Sequence, residues 1–171
     1  MSLTAILARR RVTIGFVCTV IVVWFASPTP ASVMAGALVG LAGEGIRLWA
    51  AGHLEKSREV TSSGPYRFTR HPLYVGSSVM AMGVAIGCRS WVVAVVVLLY
   101  MTTTLSAAVR TEEAFLRGRF GDAYDAYAEA RGPRVARAFS LARAWRNREY
   151  RAIAGLAAFL LLLLGKMALW R

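Results

Sequence analysis

Two short polar motifs carry most of the side chains in this chain that could do chemistry. The first, GPYRFTRHPLYVG, places His71 directly before Pro72 at the start of an apolar run. Proline is favoured at the first position of a helix, so Pro72 predicts a helix start with His71 as its N-cap. The free N–H groups of such a helix end suit an anion. Tyr74 follows about one turn later, on roughly the same face as His71.

The second motif is an acidic pair, Glu112 and Glu113, that follows another apolar run. Only residues 88–90 separate the two runs, which predicts a helical hairpin whose far ends lie close together. The hairpin would bring His71, Tyr74 and the two glutamates into one polar pocket. Such a pocket suits a zwitterionic ligand, because the helix end can take a carboxylate and the glutamates an amine, a hydroxyl or a positive centre.

The elements that position these motifs are apolar enough for a membrane. The chain has 171 residues, of which 57% are hydrophobic, more than in an ordinary soluble domain. Five segments could cross a bilayer, which needs about 17–25 residues each: 12–26, 31–51, 72–87, 91–109 and 152–170. The N-terminus imitates a signal peptide, but the chain continues straight into a second apolar segment. We therefore predict an all-α polytopic membrane protein with five transmembrane helices in a single domain, residues 1–171.

Basic residues are concentrated on one side of this predicted topology. The net charge is +12, and only Arg89, Lys166 and Arg171 fall on the other side. The positive-inside rule then places the N-terminus, the polar regions and the pocket in the cytoplasm, here of a bacterium with the protein in its inner membrane. No aromatic-basic nucleic-acid motif accompanies the charge, so membrane lipids, and not nucleic acid, are the expected partner.

Residues 132–151 form a separate basic segment ahead of the last apolar run. Arginines alternate there with apolar side chains at helical spacing, namely Val135, Ala138, Phe139, Ala142 and Trp145. This pattern favours an amphipathic helix at the membrane interface. The alternative is a solvated basic linker.

The second apolar segment carries both glycines and charges. Gly36 and Gly40, followed by Gly43, would allow close helix approach and permit a homodimer. Glu44 and Arg47 are three residues apart, so they share a helix face. Ionisable residues within a span usually point at a partner or a cavity, and a structural pair and a site-lining role are both open. Neither Cys18 nor Cys88 has metal-ligand spacing, and no metal site is predicted.

The two motifs also carry a resemblance. SGPYRFTRHPLYVG, a helical hairpin and RTEEAFLRGRFGDAYDAY resemble the integral-membrane methyltransferase family, which includes isoprenylcysteine carboxyl methyltransferases and phospholipid N-methyltransferases. The family pattern RHPxYxG, an EE pair and FGxxYxxY occurs in that order within residues 61–127. The resemblance implies S-adenosyl-L-methionine as cofactor and a lipophilic methyl acceptor that enters from the bilayer.

The resemblance also implies roles for individual residues. The positions that match the family's cofactor-binding stretches are Val60, Thr61, Tyr66, His71, Pro72, Leu73, Tyr74, Gly76, Glu112 and Glu113. The family's carboxyl methyltransferases have a substrate-anchoring arginine about one turn before the key glutamate. Here Ala108 and Val109 hold that position and Arg110 is the nearest arginine, so Arg110 and Glu113 are the predicted catalytic residues. Phe120, Tyr124 and Tyr127 recur at helical spacing and are expected to pack rather than to contact a ligand.

The expected reaction is carboxyl O-methylation of an isoprenylcysteine-type acceptor. A carboxylate is already ionised at neutral pH, so catalysis would consist mostly of positioning and desolvation. The alternative, N-methylation of a phospholipid ethanolamine, needs a base, which Glu112, Glu113 or His71 could supply. A nicotinamide-dependent membrane sterol-type reductase and a non-catalytic lipid-binding scaffold are further alternatives.

Overall fold

The computed structural model describes residues 15, 17–133 and 135–169. Residues 17–25 are helical and form α1. The elements that follow are α2 (Pro30–His53), a 3₁₀ turn (Gly64–Arg67), α3 (Pro72–Cys88), α4 (Trp91–Phe120), α5 (Asp122–Ala128), α6 (Leu141–Arg146) and α7 (Tyr150–Leu169). This described part of the chain contains no strand, so the all-α prediction is confirmed. The start of the predicted first span, residues 12–14 and 16, and residue 170 of the last lie outside it.

Three of the described helices, α2, α4 and α7, are long and apolar enough to cross a membrane. Helix α3 is also apolar but has 17 residues. The structure thus supports a membrane-spanning helical bundle, whereas the topology of five spans stays a prediction.

The connections between the helices lie at two opposite ends of the bundle. At one end the two short connections meet, because the Ser27 amide donates a hydrogen bond to the Cys88 carbonyl over 2.9 Å. At the other end the two long polar regions touch. There the Tyr127 hydroxyl donates to the Tyr66 carbonyl over 2.9 Å, and Arg119 donates to the Ser57 carbonyl. We call this second end the polar end.

Helices α2 and α3 meet along glycines, which we call the glycine seam: Gly36, Gly40 and Gly43 of α2 with Gly76, Gly83 and Gly87 of α3. A Cβ at Gly36 would lie 2.5 Å from the Gly83 carbonyl oxygen, and one at Gly43 would lie 2.5 Å from the Met80 amide nitrogen. The two backbones therefore touch directly, and the predicted close approach is confirmed within one chain. Because α3 covers this face, a homodimer would need another surface.

Helix α7 packs on the chain's own core. Leu156 lies against the open face of Gly40, with 3.1 Å from its Cδ1 to a Cβ built there. Leu163 is fully buried in a cluster with Val22, Val93 and Cys88. The last helix is thus part of the same bundle as the motifs.

Residues 135–149, which we call the strap, do not form the predicted continuous amphipathic helix. Residues 135–140 are not helical, and only Leu141–Arg146 is. The strap is instead bound to the end of α2: the Ser140 amide donates to the Gly52 carbonyl, and the Asn147 side chain donates to the Ala51 and Leu54 carbonyls. Because the Ser140 amide is bonded to α2, the helix begins only after Ser140, which is its N-cap. Its interfacial role stays a prediction.

Candidate active site

A cavity of about 550 Å³ opens at the polar end of the bundle. Its walls come from the start of α3, one side of α4, the loop 54–61 and the tyrosines of α5. Most of the residues predicted to bind a cofactor line it: Val60, Thr61, Tyr66, His71, Pro72, Leu73, Tyr74 and Glu112. The lining residues are spread from Arg47 to Tyr127 of the chain, so the fold itself creates this site.

His71 occupies the N-cap position of α3, as predicted, but its ring makes no capping hydrogen bond. The ring faces α4 instead, with Nε2 3.1 Å from Oε1 of Glu113 and Nδ1 3.8 Å from Oε2 of Glu112. It also stacks on Tyr74, with 5.6 Å between the ring centroids. The structure therefore brings together the histidine, the tyrosine and both glutamates expected from the hairpin.

The two glutamates have different surroundings. The Glu113 side chain is 17% exposed and contacts Arg70 over 3.2 Å in addition to His71. It does not line the cavity, so its position suits holding these neighbours in place. Glu112 lines the cavity, and its side chain is 44% exposed. Of the pair, Glu112 is the carboxylate that a ligand can reach.

The structure does not place Arg110 at the cavity. The residues of α4 that line it are Thr104, Ala107, Ala108, Thr111, Glu112, Phe115 and Leu116. With 3.6 residues per turn, Arg110 lies about 140° around the helix from the mean direction of that face, and it is exposed. The structure therefore places Arg110 away from the cavity, because one residue along a helix changes the face, and its role as a substrate anchor stays a prediction.

Packing against α2 explains why a glycine occupies position 76. A Cβ there would lie 2.5 Å from Cγ of Arg47 and 2.7 Å from the Gly43 carbonyl oxygen. The neighbour that approaches the Gly76 backbone is therefore α2 and not a ligand-binding surface. Gly76 belongs to the glycine seam and is not among the described residues that line the cavity.

Arg47 lines the cavity from α2. Its Nε lies 2.7 Å from Oε1 of Glu149 and 3.8 Å from Oε2 of Glu44. Its Nη1 donates to the Ser77 hydroxyl and to the Leu73 carbonyl, the latter over 3.4 Å. Arg47 is thus both an ion-pair partner and a lining residue, so the two roles left open by the sequence coexist. Glu149, just before α7, is a partner that the sequence pattern did not indicate.

The tyrosines of α5 were expected only to pack, and they do more. Tyr124 lines the cavity, and its buried hydroxyl has no hydrogen-bond partner among the described residues. Tyr127 also lines the cavity and donates to the Tyr66 carbonyl. Burial raises the pKa of Tyr124 and raises that of Tyr127 to about 12, so both hydroxyls keep their protons at neutral pH. The FGxxYxxY spacing was the sequence signal for this shared role, since it puts both tyrosine rings on one face of α5.

The strap holds the loop that forms one wall of the cavity. Arg143 and Arg146 each reach Oε1 of Glu55 over 2.9 Å, and Arg137 reaches Glu59 over 2.7 Å. The hydrogen bond from Arg143 lowers the pKa of Glu55, so this carboxylate stays charged at neutral pH. The Glu55 amide in turn donates to the Thr61 hydroxyl over 3.2 Å, which closes the loop on itself.

Comparison with known families decides what kind of protein carries this site. The family model described as phospholipid methyltransferase matches residues 11–123, about two thirds of the chain. The chain belongs to the phospholipid methyltransferase family. The matched residues include the RHP motif and the acidic pair, so the resemblance noted from the sequence is confirmed. With its apolar helices, this member of the family is an integral membrane protein.

Three curated relatives are similar to part of the chain. The cobalt-zinc-cadmium resistance protein CzcN of Cupriavidus metallidurans is 36% identical over 43% of this chain and 35% of its own length. The protein-S-isoprenylcysteine O-methyltransferase of Schizosaccharomyces pombe is 31% identical over 50% of this chain and 36% of its own. The nickel-cobalt-cadmium resistance protein NccN of Alcaligenes xylosoxydans xylosoxydans is 34% identical over 48% and 39%, respectively.

The chain therefore matches little more than a third of the length of these relatives. No solved structure matches it. Within the described residues, no group of three or more His, Cys, Asp or Glu side chains is placed to hold a metal ion.

Proposed function

We propose that this chain is an S-adenosyl-L-methionine-dependent methyltransferase that acts on a lipophilic acceptor in the membrane. One observation carries the proposal. The motif residues that define the resemblance, His71, Tyr74 and Glu112, line one cavity at the polar end of an apolar bundle. The family match and the fission yeast relative support the same reading.

The cavity fits the proposed cofactor chemically. A volume of about 550 Å³ is in the range of cofactor and drug-sized sites. Glu112 offers a carboxylate for an ammonium group, and Arg70 offers a cation for a carboxylate. The buried Tyr124 hydroxyl lacks a partner in the described part of the chain, and an unpaired buried polar group is costly unless a ligand satisfies it. Leu73 adds apolar lining.

S-Adenosyl-L-methionine, when bound, would supply a methyl group on a positively charged sulfur: an acceptor oxygen or nitrogen would bond to the methyl carbon, and the sulfur would leave as a neutral thioether. The chain's own residues bind and orient the cofactor and the acceptor. Glu113 holds the His71 ring and Arg70. The part of the cavity lining that His71 and Arg70 form, which we call the polar wall, is thus fixed before a ligand binds. The loop 54–61 and the tyrosines of α5 enclose the ligand from the polar end.

The first candidate acceptor is a prenylcysteine-type carboxylate. Its oxygen is ionised at neutral pH and needs no base. The α4 residues deepest in the cavity, Thr104, Ala107 and Ala108, are neutral and small, so they leave room for an acceptor and contribute no base. The fission yeast relative's name supports this acceptor.

The second candidate acceptor is a phospholipid ethanolamine, which the family match favours. An ammonium group must lose a proton before it can accept a methyl group. His71 Nδ1, which faces Glu112 over 3.8 Å at the cavity wall, is placed to take it. The family match favours either methyl transfer over a nicotinamide-dependent reductase or a non-catalytic scaffold.

We further propose five transmembrane helices, with the polar end in the cytoplasm of a bacterial inner membrane. The asymmetry of the basic residues supports this orientation, since among the described residues all but Arg89 and Lys166 lie toward the polar end. The cofactor is a cytoplasmic metabolite in this arrangement, and the acceptor arrives from the lipid.

The test is calorimetric titration of S-adenosyl-L-methionine into the detergent-purified full chain, followed by methyl transfer to a prenylcysteine and to phosphatidylethanolamine. Binding by the wild type that is lost in Glu112→Gln, but kept in Glu129→Gln, is the expected result. Glu129 is a matched control because its carboxylate is exposed and pairs with Arg131 away from the cavity. A well-folded wild type that does not bind the cofactor would overturn the proposal.

A further inference from the structure

The cavity has a polar part and a deep part. Helix α4 lines it from Thr104 to Leu116, a length of about 18 Å along the helix. Glu112, Leu116 and the loop 54–61 lie toward the polar end of this stretch. Thr104, Ala107 and Ala108 of α4, with Arg47 of α2 and Leu73 of α3, form what we call the deep end.

Arg47 is the only charged residue of the deep end so defined. The position on α4 where the family resemblance leads one to expect an anchoring arginine is occupied by Ala108 and Val109. Ala108 leaves space in the cavity wall, and Arg47 brings a guanidinium to the same cavity from another helix. The charge is thus supplied from α2, whereas the exposed Arg110 is directed away.

The guanidinium is fixed on two sides and retains donors on the third. Its Nε faces Glu149 and Glu44, and its Nη1 donates to Ser77 and to the Leu73 carbonyl. Its Nη2 has no hydrogen bond to any described residue. A planar guanidinium carries five N–H donors in a rigid fork, so an oxygen of a carboxylate or phosphate can still accept hydrogen bonds from the two N–H groups of Nη2.

We propose that Arg47 binds the anionic oxygen group of the methyl acceptor at the deep end of the cavity, with Glu149 and Ser77 as positioning residues. This inference rests on the proposed methyltransferase function and names how the acceptor is held. The anionic group is a carboxylate in a prenylcysteine and a phosphate in a phospholipid. Glu44 and Glu149 offset the positive charge, so recognition comes from directed N–H donors rather than from net charge.

The test uses Arg47→Lys, which keeps a cation beside Glu149 and loses the Nη2 donors. The probe acceptors are N-acetyl-S-farnesylcysteine and phosphatidylethanolamine. We expect the KM for the anchored acceptor to rise at least about 10-fold, the loss typical of a charge-assisted hydrogen bond, with cofactor affinity unchanged. Arg89→Lys, at the opposite end of the bundle, is the matched control and should change neither value.

A second readout does not depend on turnover. Binding of N-acetyl-S-farnesylcysteine and of its neutral methyl ester is measured by calorimetry without cofactor. Arg47→Lys should weaken binding of the acid about 10-fold and leave the ester unchanged. If the acid does not bind but the KM for phosphatidylethanolamine rises, Arg47 holds a phosphate. If Arg47→Lys does not fold, Arg47→Gln combined with Glu149→Gln removes both members of the closer ion pair and takes its place.

The outcomes separate this inference from the proposed function. Cofactor binding and methyl transfer with an unchanged acceptor KM in the Arg47 variants would overturn the role of Arg47 alone. A rise of the acceptor KM in Arg110→Gln, with none in Arg47→Lys, would show that Arg110 on α4, and not Arg47, anchors the acceptor. A wild type without cofactor binding would instead overturn the methyltransferase proposal itself.

Discussion

Nε2 of His71 lies 3.1 Å from Oε1 of Glu113, and the same carboxylate oxygen lies 3.2 Å from Nη1 of Arg70. One carboxylate on α4 therefore fixes two side chains that precede α3. Because His71 and Arg70 both line the cavity whereas Glu113 does not, the geometry of the polar wall depends on a residue behind it.

The first prediction concerns this support. Glu113→Gln removes the charge that holds Arg70 and His71, and hydrogen bonds to a charged group contribute about 1.5–3 kcal/mol. We expect cofactor affinity to fall at least about 10-fold while the variant stays folded. Calorimetric titration measures the affinity, with Glu129→Gln as control. An affinity equal to that of the wild type would show that Glu113 does not organise the site.

The second prediction compares two tyrosines of α5. Tyr124→Phe removes a buried hydroxyl without a described partner, so the free protein should keep or slightly gain stability, whereas ligand affinity should fall. Tyr127→Phe removes the hydrogen bond to the Tyr66 carbonyl and should cost about 1 kcal/mol of stability. Thermal unfolding with and without S-adenosyl-L-methionine distinguishes the two. A loss of stability in ligand-free Tyr124→Phe would mean that its hydroxyl already has a partner.

The third prediction is a pH dependence of the strap. The pKa of Glu55 is lowered, first by the hydrogen bond from Arg143 and further by Arg146 and Arg137. A lowered pKa stabilises the fold fully above the ordinary carboxyl pKa of about 4.3, and this stabilisation is lost as the pH falls through the lower folded-state value. Wild-type thermal stability should thus decline on acidification below about pH 5.

The variant Glu55→Gln isolates that contribution. Its melting temperature should lie below that of the wild type at pH 7, and the gap should close as the pH falls toward 3. Other carboxylates titrate in both proteins, so only the difference between the two series reports on Glu55. A gap that is constant with pH would contradict the prediction.

The fourth prediction tests the glycine seam. A Cβ at Gly43 would lie 2.5 Å from the Met80 amide nitrogen, whereas a Cβ at Gly45 meets nothing within 4 Å. Gly43→Ala should therefore force α2 and α3 apart and cost about 1–3 kcal/mol. Gly45→Ala should be neutral or stabilising, because alanine has the higher helix propensity. Melting temperatures of the two variants in one detergent make the comparison, and equal values would argue against direct backbone contact.

The meeting of His71 with the glutamates could be predicted because it depends on local rules. Pro72 fixes where α3 begins, and the short connection at residues 88–90 makes α4 run antiparallel to α3. Helix α3 has 17 residues and Glu112 lies only a little more than one turn beyond the same distance along α4, so the antiparallel hairpin brings it near His71. Spacing and turn length were sufficient here.

Other parts of the site depend on packing between distant segments. Glu149 meets Arg47 only because the strap is bound to the end of α2, and no spacing rule connects these two positions. Arg110 illustrates the opposite problem. Sequence proximity to the acidic pair suggested a role, but the side of α4 that faces the cavity is decided by how α4 packs on α3. Helical phase relative to a neighbour is a tertiary property.

Because of the glycine seam, the wall of the cavity formed by α2 and α3 is fixed in position, whereas the wall formed by α4 can change through substitution. Helices α2 and α3 touch backbone to backbone, so neither can shift to admit a wider acceptor without breaking their contact. On α4, by contrast, the cavity meets the short side chains of Thr104, Ala107 and Ala108. Substitutions at these three positions can change the width of the cavity one methyl group at a time, which makes α4 the place to test how the cavity selects its ligand.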